Sequence, residues 1–165
     1  MSDFEELYQE IIMDHYRRPR GAADLSALSE AFVHENPTCG DSIKVELSLS
    51  EGAEIESLRF DVKGCAISTA SASLMSERLR GMKVGEAREL ARSFVGALRG
   101  ELGLEELDAM GDLVALRGVS VFPARVKCAT LAWHAMLAAL DRAAALDRAA
   151  PTGATAPTGT RVSEA

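Results

Sequence analysis

The chain carries three cysteines, each beside residues that equip a thiol for chemistry. Cys39 lies in Asn36-Pro37-Thr38-Cys39-Gly40-Asp41, Cys65 in Lys63-Gly64-Cys65-Ala66-Ile67-Ser68, and Cys128 in Phe122-Pro123-Ala124-Arg125-Val126-Lys127-Cys128. Three thiolates and one carboxylate, that of Asp41, would complete a tetrahedral zinc site. Gly40 permits a sharp turn between Cys39 and Asp41, so both side chains can face one ion. Cys65 follows Gly64 where a strand gives way to a helix, and the dipole at a helix start favours thiolate. Cys128 falls in the first turns of the last helix. The gaps, 26 residues (65 − 39) and 63 residues (128 − 65), match no compact zinc-finger spacing, so only the fold can close such a site. The competing reading is core filling, because free cysteine is among the most buried residue types. Gly40, Asp41 and Gly64 favour the site, since each local choice agrees with it.

The histidines stand apart from this set. His15 lies at the edge of the first helix's apolar face and reads as a helix-end residue. His34 alternates with Val33 on a short strand. His134 is six residues beyond Cys128, about 240° round a helix, and so does not share its face. Trp133 reads as core, and Glu5-Glu6 and Glu105-Glu106 as solvated faces.

The elements that must bring the cysteines together follow from periodicity. Phe4, Leu7, Tyr8, Ile11 and Ile12 form a helical apolar stripe, capped by Ser2 or Asp3 and stopped by Pro19 and Gly21. A loop through 21–28 leads to a short strand over 30–35. Residues 42–50 alternate, with Ile43, Val45, Leu47 and Leu49 on one face and Lys44, Glu46 and Ser48 on the other, as in a half-buried strand. After a turn at 51–53, a return strand runs over 55–63. Ile55 is out of phase with Leu58, Phe60 and Val62, which calls for a bulge near Glu56-Ser57. Helical spacing takes over from Ile67 to Gly81, with small residues at its start, and again over 84–98. Residues 100–112 carry at most a short helical turn near 105–110. A last helix begins after Pro123, a favoured first-turn residue, and runs to about residue 149, with Val126, Thr130, Trp133, Leu137 and Leu140 as its core face.

Composition sets the limits. The chain has 165 residues, 47% of them hydrophobic, enough for one domain with a real core. This domain is expected over 1–149. Residues 150–165, with Ala-Pro-Thr-Gly twice, are expected to be a disordered tail. A net charge of −7 argues against a nucleic-acid or anionic-membrane surface. There is no apolar run of membrane-spanning length, and the first ten residues lack the pattern of a secretory leader. Unpaired thiols of odd number point to the reducing cytoplasm.

Together Asn-Pro-Thr-Cys-Gly-Asp at 36–41, Gly-Cys-Ala-Ile-Ser-Thr-Ala-Ser-Ala-Ser at 64–73 and the segment 118–131 resemble the U-type iron–sulfur scaffold superfamily. The resemblance covers about residues 3–140 and is greatest to the SufU branch, zinc-dependent sulfur-transfer proteins. Lys127 stands where the cluster-building scaffolds carry a histidine before the third cysteine, and 96–118 looks like the extra stretch of SufU-type chains. The resemblance implies an α+β fold, with a three-stranded antiparallel sheet and helices packed on one face. It implies Zn2+ held by Cys39, Asp41, Cys65 and Cys128; Cys39, on a Gly-flanked loop tip and so the most easily released of them, is the candidate catalytic sulfur acceptor. It also implies a PLP-dependent cysteine desulfurase of the SufS type as donor and a downstream iron–sulfur assembly scaffold. The alternative is a scaffold that builds a 2Fe–2S cluster, from Fe2+, on the same ligands. A third reading is a purely structural zinc domain that recruits a partner.

Overall fold

The computed structural model describes residues 2–28, 33–36, 40–149 and 160–164, with side chains up to residue 145. In chain order the elements are α1 (Asp3–Arg17), β1 (His34–Asn36), β2 (Asp41–Leu49), β3 (Ile55–Lys63), α2 (Ala66–Leu79) and α3 (Val84–Leu98). Two 3-10 helices (Leu104–Ala109 and Gly111–Val121), α4 (Pro123–Ala149) and β4 (Thr160–Glu164) complete it.

The β2–β3 hairpin is the spine. Val45 pairs with Phe60 and Leu47 with Leu58, whereas Leu49 pairs with Ile55 and Ser48 with Ser57. Glu56 is therefore the extra residue of a bulge, and it returns Ile55 to the core face with Leu58 and Phe60, all fully buried. β1 pairs antiparallel with the start of β2, Asn36 opposite Asp41. The expected strand over 30–35 is observed at His34–Asn36; residues 29–32 lie outside the described ones. These three strands form the expected antiparallel sheet, with α2 and α4 against it.

Of the tail expected at 150–165, residues 150–159 and 165 lie outside the described ones. Thr160–Glu164 pairs antiparallel with Val45–Leu49, so β4 continues the edge that β1 begins and the sheet has four strands. The compositional reading saw low complexity and no core-forming pattern; backbone pairing along an exposed strand edge needs neither.

β2 departs as well. Its supposedly solvated face is covered: Lys44 and Glu46 are each only 7% exposed. Lys44 Nζ donates to the Leu28 carbonyl at 3.0 Å, and Glu46 meets Arg59, its direct cross-strand neighbour, at 3.0 Å. The segment after α1 folds beside β3, Ala23 N–H donating to the Phe60 carbonyl and Leu25 N–H to Asp61 Oδ2.

α2 is buried on almost every side because it lies between the sheet, α1 and α4. Its serines are satisfied by other elements: Ser71 Oγ donates to the Ala129 carbonyl and accepts from Trp133 Nε1, and Ser76 Oγ donates to the Leu58 carbonyl. Small side chains thus let three elements approach while leaving few buried hydroxyls unpaired. Trp133 is fully buried and stacks on Phe94, ring centroids 4.6 Å apart. All the expected α4 core positions are buried except Leu137, which is half-buried. Among the described residues no helix is long and apolar enough to cross a membrane.

α1 is capped by Ser2, whose Oγ accepts from Glu5 N–H while Glu5 Oε2 accepts from Ser2 N–H. Its apolar stripe is only partly used. Ile11 and Ile12 pack against the core, but Phe4 and Leu7 are exposed, and the buried residue is His15. The segment 100–112, expected to hold at most a short helical turn near 105–110, contains the 3-10 helix Leu104–Ala109, and a second, Gly111–Val121, follows it; together they bury Leu107, Leu113 and Leu116.

Candidate metal centre

Three element ends meet at one point. Asp41 opens β2, Cys65 caps the N-terminus of α2, and Cys128 lies in the second turn of α4. Their ligand atoms all lie within 4.8 Å of one another. Two ligands 2.3 Å from a tetrahedral zinc stand roughly 3.7 Å apart, so the spread suits one shared ion with minor closure. Asp41 and Cys128 are buried and Cys65 is exposed, so the site opens on the Cys65 side. Neither thiol is in a disulfide. A donor set of two thiols and a carboxylate fits zinc, and two thiols alone would fit iron–sulfur chemistry as well.

Each of these candidate residues is braced. Ser68 Oγ donates to Asp41 Oδ2, and Cys65 N–H donates to the same oxygen at 3.4 Å. Gly64 makes room for that carboxylate: a Cβ there would stand 2.6 Å from Asp41 Cγ. Asn36 Nδ2 lies 4.0 Å from Cys128 Sγ, an N–H···S contact, and is buried opposite Asp41 in the β1–β2 register. Gly40 has φ +76°, a conformation that glycine adopts freely, and its N–H donates to the Asn36 carbonyl at 2.8 Å. Of the four residues the sequence nominates, the structure brings Asp41, Cys65 and Cys128 together. Cys39 lies outside the described residues. Ser68 and Asn36 were missed as site residues; both were present in the quoted motifs, but a hydroxyl in a small polar run carries no distinguishing signal.

The histidines occupy other places. His134 lies on α4 near Arg99 and His34; partial burial first, and then electrostatic repulsion from those two, hold its pKa below the usual value. His15 stands in the last turn of α1, as expected of a helix-end residue, but it is buried. It is 3% exposed, its Nδ1 2.7 Å from Ser73 Oγ. Burial is the largest cause lowering its pKa and Arg20 the next, against Glu77, Asp14 and Asp112. His15, Glu77 and Asp112 also lie within 4.8 Å of one another, but Arg20 Nε already brings positive charge to Glu77 Oε2 at 3.4 Å.

Comparison with known proteins agrees with this geometry. Residues 7–141 match the NifU-like N terminal domain. The chain is 39% identical to the zinc-dependent sulfurtransferase SufU of Bacillus subtilis (strain 168) over 137 residues, covering 82% of this chain and 90% of that one. It is 38% identical to the iron–sulfur cluster assembly scaffold protein IscU of Streptococcus pyogenes serotype M1, covering 87% of this chain and 88% of that one. Among solved structures, a putative iron–sulfur cluster assembly scaffold protein for the SUF system from Fervidobacterium islandicum AW-1 superposes with a TM-score of 0.64. It is 30% identical, over 82% of this chain and 98% of that one. With the Asp41, Cys65 and Cys128 motifs meeting at one point in the same fold, the chain belongs to the family of NifU-like N-terminal domains, within the U-type iron–sulfur scaffold superfamily.

Proposed function

We propose that this chain is a zinc-dependent sulfur acceptor in iron–sulfur cluster biogenesis, working in the cytoplasm. In this reading Cys39 takes persulfide sulfur from a PLP-dependent cysteine desulfurase of the SufS type and passes it to a downstream assembly scaffold. The supporting observation is the convergence of Asp41, Cys65 and Cys128 in a chain 39% identical to a zinc-dependent sulfurtransferase. Cys39, two residues before Asp41 in the motif, is the fourth ligand of the set.

Zinc, when bound, keeps its thiol ligands ionised at neutral pH, where a free cysteine of pKa about 8.5 is mostly protonated. The residues of the chain do the rest. Asp41 is anchored by Ser68 and the Cys65 amide, and Cys128 sits on the buried side of α4 beside Asn36. These are the fixed ligands, with Cys65 at the start of α2. Cys39 adjoins Gly40, whose left-handed backbone marks a turn, and would be the ligand most easily released from a bound zinc. Its thiolate attacks the outer sulfur of the donor persulfide. A sulfur–sulfur bond forms to Cys39, the donor's bond breaks, and the desulfurase cysteine departs as thiolate with the electron pair. The number of sulfur–sulfur bonds is unchanged, so the exchange needs no external oxidant. Four anionic ligands around a dication leave a formal charge of about −2. Arg125 and Lys127, exposed on the first turns of α4, offset it.

The similarity to IscU supports a second reading, assembly of a 2Fe–2S cluster on the same ligands. Lys127 before Cys128 favours the first. Metal analysis of the purified chain, with and without anaerobic reconstitution, combined with a desulfurase turnover assay separates them. Bound zinc and stimulated turnover support sulfur transfer; a visible cluster spectrum without stimulation supports the scaffold. Cys39→Ser is expected to abolish sulfur acceptance while leaving some metal bound, and normal turnover by that variant would remove Cys39 from the mechanism.

A further inference from the structure

Ser68 is the third residue of α2 and is 1% exposed. A buried hydroxyl on a helix commonly donates to the carbonyl four residues back, as Thr130 does to Val126 at 2.9 Å. Ser68 instead reaches across to β2, donating to Asp41 Oδ2, and its Oγ also lies 3.6 Å from Cys65 Sγ. One hydroxyl thus touches two of the three ligand residues that converge. On its other side Asp41 presses on Gly64, where even a methyl group would collide with the carboxylate.

We infer that Ser68 is a positioning residue of the metal centre, fixing the Asp41 carboxylate against Cys65 so that one oxygen belongs to the protein frame and the other to the ion. This rests on the metal-site reading above and extends it to a residue outside the ligand set. A carboxylate rotates easily about its terminal torsion. Without the hydroxyl, Asp41 would sample orientations in which neither oxygen meets an ion held by Cys65 and Cys128. Partners of this kind commonly change metal affinity by 10–100-fold. The same bond spans β2 and α2, so it also sets the separation of two ligands before any ion arrives.

The test uses the full chain with zinc-chelator competition and the absorption spectrum of the Co2+-substituted protein. Ser68→Ala is expected to weaken zinc binding by roughly tenfold or more and to shift the Co2+ ligand-field bands. Ser68→Thr, which keeps the hydroxyl, restores both. In an Asp41→Ala background, Ser68→Ala adds little, because the partner through which it acts is gone. A purely structural serine would change melting temperature but not the Co2+ spectrum, and its effect would be as large without Asp41. Wild-type affinity and spectrum in Ser68→Ala, or full additivity with Asp41→Ala, overturns the inference. Should Ser68→Ala fail to fold, Ser68→Thr against Ser68→Val gives the same comparison at matched shape. A wild-type chain that binds no zinc or cobalt at these residues refutes the metal centre itself, and Ser68's role with it.

Discussion

Gly64→Ala is the smallest change that reaches the centre without touching a ligand. The added Cβ would stand 2.6 Å from Asp41 Cγ, 2.8 Å from Oδ2 and 3.0 Å from Cβ, where ordinary contact begins at 3.4 Å. Asp41 Cγ must therefore retreat by about 0.8 Å (3.4 − 2.6). Metal–ligand distances tolerate only about 0.2 Å, so the carboxylate cannot keep its place in the site. Displacing it also strains its bonds with Ser68 and the Cys65 amide. Zinc affinity should fall about 10–100-fold, or about 1.4–2.8 kcal/mol at 1.4 kcal/mol per decade. The fold should survive, because Gly64 is exposed and its backbone is not left-handed. Far-UV circular dichroism and melting of the metal-free protein check the fold, and chelator competition reads the affinity. A folded variant with zinc affinity within twofold of wild type would refute the placement of Asp41.

Other outcomes follow from the same geometry. Gly40→Ala meets no atom within 4 Å, so only its φ of +76° is strained; about 1–2 kcal/mol of stability should be lost by urea denaturation. Phe60→Ala empties a fully buried position on β3 and should cost about 3–5 kcal/mol in the same assay. His15 is held neutral in the folded state by burial and by Arg20, against the carboxylates of Glu77, Asp14 and Asp112, so its folded pKa lies below the unfolded 6.5. The unfolded chain then binds the extra proton, and the stability this contributes is complete above pH 6.5 and lost as pH falls below it. His15→Gln should flatten the dependence of melting temperature on pH in that window, and an unchanged slope would acquit His15.

The hairpin was legible because alternation is strict and its one phase error, at Ile55, specified the Glu56 bulge. α4 was legible through Pro123 and a clear apolar face. The site was legible because Gly40, Asp41 and Gly64 are costly choices unless something close-packed or chemical needs them. What escaped depends on tertiary partners. Lys44 and Glu46 alternate as solvated residues do, yet the Leu28 carbonyl and Arg59 cover them. The burial of His15 at the end of α1 escaped because nothing local reveals Ser73, 58 residues away. The α1 stripe promised burial that only its second half attains, since Phe4 and Leu7 extend beyond the packed layers. The 3-10 helices over 104–121 have a three-residue period that short apolar runs do not distinguish from loop.

The most direct test is to map sulfane sulfur on the chain after incubation with a PLP-dependent cysteine desulfurase and cysteine, by alkylation and peptide mass analysis, in zinc-loaded and zinc-stripped protein. The extra sulfur should appear on the peptide containing Cys39, and only when zinc has been bound through Asp41, Cys65 and Cys128. Sulfur on Cys39 regardless of zinc, or none on Cys39 in the loaded protein, would contradict the zinc-dependent acceptor.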